Sequence, residues 1–350
     1  MRKGIQLYKC MVCGYQFRGK MYLKSNVVWK AYTEEKQTIH ELSLRYKVSE
    51  STIKRLLKNV SVEWHNPKIG GHGIVNIDTT YFGRNCGVIV ALDTNTGKPL
   101  YMKHIYHEHV SDYVDAVREI EKNGYILNGM VIDGIQSLFK VFAGYKIQMC
   151  HYHMCAIVRR KITKNPKLPA GQELQQLMRT LKDAKEDDFK RDFQKWKDKW
   201  KTFLNERTQN PMTQNTYYTH QRTRSAMVSI EFYLPYLFTY QHVNGMPNTN
   251  NKIEGTFTDL KKHLNIHSGM KKENRKRFID GFFLGSVNRT MSSYFFTLLP
   301  SAGNHAWFPA EVFCLQSYMI SYLSPNLMAN CCEMRAQFAR GIVHFSEMLR

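Results

Sequence analysis

Asp78 interrupts an apolar, strand-like run, Ile74-Val75-Asn76-Ile77-Asp78-Thr79-Thr80-Tyr81-Phe82, and Asp133 ends another, Ile126 to Ile132. A buried carboxylate is costly unless it is paired or bound to a cation. Glu254 opens a helical pattern from Thr249 to His263, one step off the apolar face of Ile253, Phe257 and Leu260. Each acid alone has an ordinary explanation. A strand-end aspartate caps the helix that follows, and a glutamate in a first turn suits the helix dipole. Three such carboxylates brought together in one fold hold divalent metal. The chemistry they support is phosphoryl transfer, with two ions about 3.5–4 Å apart. Magnesium suits these hard oxygen ligands, and manganese is the natural substitute. Cys150-x-x-His153 offers two metal-ligand types three apart, with no second pair nearby in the sequence, so zinc is not expected there. A histidine at a helix start beside carboxylates would contact the scissile phosphate or orient a ligand. Asp93, Asp112 and Asp115 read as turn and helix-surface acids outside the set.

The elements that must position these residues follow from the pattern. After the run containing Asp78 come strands at Cys86 to Leu92 and Pro99 to His107, joined by the turn Asp93-Thr94-Asn95-Thr96-Gly97. Val110 to Lys122 has helical spacing, Ile126 to Ile132 is a strand, Ile135 to Phe142 a short helix and Lys146 to Met149 a further strand. Three strands in meander, then helix, strand, helix, strand, is the order of an RNase H-like fold. In that fold the first strand carries one carboxylate, the fourth ends at a second, and a later helix brings the third. From Asp133 to Glu254 is 121 residues (254 minus 133), too long for a closing loop. Its pattern is helical: Gln172 to Asp183 forms one amphipathic helix. Phe189, Phe193, Trp196, Trp200 and Phe203 form a stripe on a second long one, as core rather than a stacking platform. The expected fold class is α/β: an RNase H-like mixed sheet with a long all-helical insertion, preceded by a small helix-turn-helix domain.

The chain has 350 residues, with 50 Lys and Arg against 29 Asp and Glu, a formal net charge of +21. Such a surplus favours a polyanionic partner, first of all nucleic acid. There is no long uncharged apolar run and no signal peptide, so no membrane role is expected. The eight cysteines are read as reduced thiols of a cytoplasmic protein. Near the N-terminus, Cys10-x-x-Cys13 is half of a zinc ribbon, and no metal is expected in it. Thr38 and Glu41 read as a capping box, with Ile39, Leu42, Leu44 and Tyr46 as the apolar face. Lys47-Val48-Ser49 breaks the helix, and Ser51 to Lys58 begins a second, with Ile53, Leu56 and Leu57 inward. This is a helix-turn-helix that turns Ser51, Thr52, Lys54, Arg55 and Lys58 toward DNA. Further DNA contacts are expected from Arg222 and Arg224, from Asn250 and Asn251, and from Lys261 and Lys262. Lys271, Lys272 and Arg275, in a dense cationic run with Lys276 and Arg277, complete the set.

Four stretches in order resemble the transposases of bacterial insertion sequences related to eukaryotic Mutator-like elements. They are Ile77-Asp78-Thr79-Thr80-Tyr81-Phe82, Val131-Ile132-Asp133-Gly134, Gln148-Met149-Cys150-x-x-His153 and Asn250-Asn251-x-x-Glu254-Gly255. The resemblance implies that Asp78, Asp133 and Glu254 are the acidic (DDE) triad, with Cys150 and His153 as an accessory pair. It implies an all-helical insertion between the second and third acids, double-stranded DNA as partner (element ends and target), and a homo-oligomer on DNA. An upstream Cys-x-x-Cys is expected in the family and absent here. The implied activity is metal-dependent strand cleavage and strand transfer, with no nucleotide cofactor; the sequence contains no P-loop. Two other functions stay open: a DNA-binding regulator or inactive relic, and an RNase H-like nuclease without strand transfer. The expected divisions are 1–22, the half ribbon; 23–66, the helix-turn-helix; 73–165 and 248–299, the two parts of the core; 166–247, the insertion; and 300–350, a tail without a recognisable motif. Asn66-Pro67-Lys68 and the glycines after it read as a linker.

Overall fold

The computed structural model describes residues 7–9, 11, 16–18, 23–68 and 70–297; the Cys10-x-x-Cys13 knuckle and the tail from 300 onward lie outside the described residues. Met1–Ser293 form one compact unit and Tyr294–Arg350 another. Two short strands, β1 (Leu7–Lys9) and β2 (Gln16–Arg18), pair antiparallel. Three short helices follow: α1 (Ser25–Thr33), α2 (Ile39–Tyr46) and α3 (Glu50–Lys58). The capping box that opens α2 is present: the Glu41 amide donates to Thr38 Oγ1 at 3.1 Å and the Thr38 amide to Glu41 Oε2 at 2.7 Å. Lys47 ends α2 in the left-handed region, at φ 52°, and Ser49 caps α3. Leu44, expected inward, is instead 64% exposed, because α2 is covered from one side only, the side of Leu42.

The main sheet has five strands: β3 (Gly71–Tyr81), β4 (Gly87–Asp93), β5 (Pro99–Ile105), β6 (Tyr125–Ile132) and β7 (Ile147–Met149), in the order β5-β4-β3-β6-β7. β3, β4 and β5 form an antiparallel meander, and β6 and β7 run parallel to β3. α4 (Val110–Lys122) connects β5 to β6, and α5 (Gln136–Val141) connects β6 to β7. The architecture is therefore mixed α/β.

Side chains on a strand alternate between faces, and both faces of this sheet are covered. Ile89 and Ala91 of β4 join Val75, Ile77, Met130 and Ile132 in a core roofed by Tyr113, Ala116 and Val117 of α4. Val88, Val90 and Leu92 face the other way. They pack with Val28, Leu42 and Ile53 of the three N-terminal helices, and with α12 (Asn251–Ile266) and α13 (Lys272–Thr297) through Ile253, Phe257, Phe278 and Ile279. Helices of eight or nine residues are too short to persist alone, and each buried aliphatic or aromatic side chain contributes about 1.5–3 kcal/mol. The N-terminal helices thus hold their shape through a core shared with β4, α12 and α13. Arg277 Nη2 adds bonds to the carbonyls of Leu57 (3.1 Å) and Val60 (2.5 Å), and His267 Nε2 donates to Tyr32 O at 3.1 Å. The stretch expected as a linker is itself fastened: Asn66 Oδ1 accepts from Trp64 Nε1 at 2.8 Å and from the Met102 amide at 3.2 Å.

Between α6 (His151–Ile162) and α12 lies the insertion: α7 (Pro169–Thr180), α8 (Glu186–Lys199), α9 (Lys201–Asn205), β8 (Arg207–Gln209), β9 (Thr216–Tyr218), α10 (Gln221–Leu237) and α11 (Thr239–His242). It is not all-helical. Thr216-Tyr217-Tyr218 is β-branched and aromatic and pairs antiparallel with Arg207-Thr208-Gln209. Between the two strands Asn210 Oδ1 accepts from the amides of Met212 (2.9 Å) and Thr213 (3.2 Å), a local turn that the apolar periodicity of the flanking helices hides. The expected single helix through Phe203 leaves helical geometry at Trp200, while Phe189, Phe193 and Trp196 are buried as core. Among the described residues no helix is long and apolar enough to cross a membrane.

Candidate active site

Parallel pairing sets the first two carboxylates side by side. Asn76 of β3 is in register with Val131 of β6, and two residues further along each strand come Asp78 and Asp133. Ile74 and Val131, which share strand parity with them, pack with Cys150 on the face away from α4. Asp78 is only 7% exposed. Its Oδ1 accepts from the Thr79 amide at 2.7 Å. β7 ends in the same region, and Cys150 caps α6 with its amide on Ile132 O at 3.2 Å. The first turn of α6 is held rigidly, since His151 Nε2 and Gln148 Nε2 both donate to Leu237 O, at 2.7 and 2.8 Å. One turn into α6, at the same face as Cys150, stands His153.

α12 brings the third carboxylate. Ile253, Phe257 and Leu260 bury its apolar stripe, and Glu254 lies next to that stripe in the first turn. Asn250, just before the helix, is fully buried. Its Nδ2 donates to Asp133 Oδ1 at 3.3 Å and its amide to Cys150 Sγ at 3.4 Å, which locks the start of α12 to both β6 and α6. His153 then lies between two of the acids, with Nδ1 2.7 Å from Asp133 Oδ1 and Nε2 3.9 Å from Glu254 Oε1. The Asp133 contact is close but out of line with the ring N–H, so it is an ion pair rather than an aligned hydrogen bond.

Burial, and then the charge of Asp133, raise the Asp78 carboxyl well above the ordinary carboxylate range; the Thr79 amide and His153 oppose the rise, and Glu108 adds to it. Burial alone would lower the His153 pKa, but Asp133 and Cys150 overcome that and push it up to about 11. Crowding Asp78 with Asp133 makes it costly for both to be charged, a cost that a bound cation relieves. Three oxygen atoms among these side chains lack a protein partner. Glu254 Oε1, Asn250 Oδ1 and Asn76 Oδ1 are shut off from solvent without a protein hydrogen-bond partner. A divalent ion with its oxygen shell supplies what such atoms lack, so the donor set fits magnesium or manganese.

The remaining sequence expectations divide clearly. Ser51, Lys54, Arg55 and Lys58 are exposed on α3 and Thr52 is partly so, while Ile53 and Leu57 are buried. Asn251, Lys261, Lys262, Lys271 and Lys272 are exposed. Asn250 is a correction: a side chain with no exposed surface cannot meet DNA, and its amide braces Asp133 instead. Arg224 is engaged within the insertion, on Asn205 Oδ1 at 2.8 Å and over the Tyr218 ring. Arg222 reaches Arg160 O at 3.3 Å but stays exposed. Arg275 Nη1 is tied to Phe82 O at 2.8 Å. The acids read as lying outside the set are structural, although Asp112, expected on a helix surface, is buried. Asp93 Oδ1 accepts from the amides of Asn95 and Thr96, and Asp112 and Asp115 both pair with Lys103.

Sequence reasoning missed Glu108. It follows β5 at the sheet end where β3 finishes, since Ile105 pairs with Gly87 and Gly87 with Tyr81. Its Oε1 accepts from Thr79 Oγ1 at 3.0 Å and from the hydroxyl of the buried Tyr113. A lone acid where a strand passes into a helix was the available signal. Nothing in the local pattern connected it to Asp78, 30 residues earlier.

No protein-family model matches the chain. No curated protein matches it either. Among solved structures it is similar to a chain of the simian T-cell lymphotropic virus intasome in complex with PP2A regulatory subunit B56 gamma, at 14% identity over 45% of this chain and 69% of that one, with a TM-score of 0.19. It is also similar to a chain of the Drosophila P element transposase strand transfer complex, at 10% identity over 81% of this chain and 88% of that one, with a TM-score of 0.32. What the site can do follows from its own side chains.

Proposed function

We propose that the protein is a transposase of the DDE kind, with an RNase H-like core, which binds the ends of a mobile element and cuts and joins DNA strands. The observation that carries this is the convergence around His153. Asp133 and Glu254, 121 residues apart (254 minus 133), both approach its ring, and Asp78 lies within electrostatic reach of Asp133 and of the ring. Asp78, Asp133 and Glu254 would hold magnesium or manganese, which when bound supplies Lewis acidity at phosphorus and lowers the proton affinity of the attacking hydroxyl.

The chain's own residues do the positioning. The Thr79 amide fixes Asp78 Oδ1, and Asn250 fixes Asp133 Oδ1. His153, cationic between Asp133 and Glu254, keeps these acids gathered and is placed to meet the scissile phosphate. Cys150 buttresses both the ring and the start of α12. α3 presents Ser51, Thr52, Lys54, Arg55 and Lys58 as the DNA-reading face of a helix-turn-helix, and Lys261, Lys262, Lys271 and Lys272 bind backbone phosphates. In the first step water attacks phosphorus and the bond to the 3′ oxygen breaks, freeing a 3′-hydroxyl. In the second that hydroxyl attacks a target phosphodiester and displaces its 3′ oxygen. Both steps need two element ends in register with target DNA, which favours a homo-oligomer.

The test is incubation of the full chain with its cognate element ends and Mg2+. Cleaved and joined products are expected, and both disappear in Asp133→Asn and Glu254→Gln while end binding survives. Cleavage without joined products would leave a nuclease. End binding without any cleavage would leave a DNA-binding regulator.

A further inference from the structure

Cys150, His153 and Glu254 each offer a ligand atom, and the three atoms lie within 4.8 Å of one another. The sequence gives only the Cys150-x-x-His153 half of such a site. The fold supplies the third ligand from a helix more than a hundred residues further on. We propose that these three side chains bind a thiophilic divalent transition-metal ion, with zinc as the type, at a site overlapping the carboxylate site, and that its occupancy withholds Glu254 from Asp78 and Asp133.

The donor set is one sulfur, one imidazole nitrogen and one carboxylate oxygen, which selects zinc-like ions over magnesium. In a tetrahedral zinc site, with bonds of about 2.0–2.3 Å, ligand atoms stand roughly 3.3–3.6 Å apart. The 3.9 Å between His153 Nε2 and Glu254 Oε1 is close to that spacing already. Asp133 sits at the opposite nitrogen, Nδ1, at 2.7 Å. The ion pair occupies Nδ1 and leaves Nε2, the nitrogen nearer Glu254, as the ligand atom. Cys150 has no exposed surface, and the Asn250 amide donates to its sulfur at 3.4 Å. Glu254 Oε1 is shut off from solvent with no hydrogen-bond partner, the condition of a ligand atom waiting for its ion. Binding releases the thiol proton and the second imidazole proton to solvent, with no change of oxidation state. Three protein ligands leave the fourth position to water.

The binding claim stands without the proposed function; the claim that Glu254 is withheld rests on it. The experiment is a Co2+ titration of the full chain carrying Cys10→Ser, Cys13→Ser, Cys331→Ser and Cys332→Ser, which removes the closely spaced thiol pairs near the two ends of the sequence. A thiolate-to-cobalt charge-transfer band saturating at one ion per chain is expected, bleached by Zn2+ and unaffected by Mg2+. Adding Cys150→Ser should abolish the band. Adding Glu254→Gln, at a partly exposed position, should keep the band and weaken Co2+ binding by about tenfold or more. His153→Gln, which spares the thiol, is expected to weaken Co2+ binding at least as much and replaces Cys150→Ser if that variant fails to fold. No band, a band that survives Cys150→Ser, or undiminished affinity in Glu254→Gln or His153→Gln overturns the site. In the cleavage assay, Zn2+ stoichiometric with the chain should suppress Mg2+-supported product formation, and a chelator should restore it. Zn2+ bound with cleavage unchanged overturns the withholding. Absence of cleavage under Mg2+ alone counts against the proposed function and leaves the spectroscopic result intact.

Discussion

Replacing Asp78 with asparagine is expected to raise stability without metal and to lose the stabilisation that a bound divalent ion would add. Asp78 is buried, and its neighbours include another acid, Asp133, with Glu108 contributing at longer range. The asparagine keeps the Oδ1 acceptor for the Thr79 amide and removes the charge. A buried polar group left without adequate partners costs about 1–3 kcal/mol, and more when charged. Each kcal/mol shifts the melting midpoint of a chain this large by roughly 1.5 °C. In metal-free buffer at neutral pH, Asp78→Asn is therefore expected to melt about 1–4 °C above the wild type. Burial and Asp133 raise the folded-state proton affinity of Asp78, so its contribution is favourable while it is protonated and is lost as pH rises through the folded value. The gap between variant and wild type should accordingly close on acidification into the ordinary carboxylate range. Saturating Mg2+ should reverse the order, since a ligand at a hundred times its Kd adds about 2.7 kcal/mol to the form that binds it. The assay is differential scanning calorimetry of both proteins with and without Mg2+. A variant that melts below the wild type without metal, or one that gains as much from Mg2+, would refute the reasoning.

Two further outcomes are expected. Glu108→Gln should loosen the clasp on Thr79 Oγ1 and the Tyr113 hydroxyl, and so lower Mg2+ affinity by about tenfold, read from the Mg2+ dependence of the melting midpoint. An unchanged Mg2+ curve would make the clasp purely structural. On α3, Arg55→Ala and Lys58→Ala should each weaken binding to element ends and reduce the slope of log affinity against log salt by about one. No loss of binding would remove α3 from the DNA interface.

Much of this was legible because it depends on short-range pattern. β4, β6 and α4 fall within a residue or two of where alternation and helical spacing place them. Asp78 and Asp133 stood out because acids in apolar runs are costly, and Glu254 was added from its place at a helix start in the order of the expected fold. What stayed hidden depends on distant partners. Asn250 reads as an exposed turn residue until α6 and β6 close over it. Cys150 and His153 look like half a metal site until α12 arrives with Glu254. The β8–β9 hairpin escaped because its three-residue strands lie between long helical stripes, and three residues carry no readable period. The sharing of a core by α1–α3, β4, α12 and α13 was equally invisible, since apolar residues on short helices do not announce what they will pack against.

The central claim is that Asp78, Asp133 and Glu254 grip one group of divalent cations. Anomalous scattering from Mn2+ in crystals of the full chain tests it most directly. The predicted result is manganese within about 2.0–2.6 Å of carboxylate oxygens from all three side chains. Manganese bound elsewhere, or bound without Asp78, would contradict it.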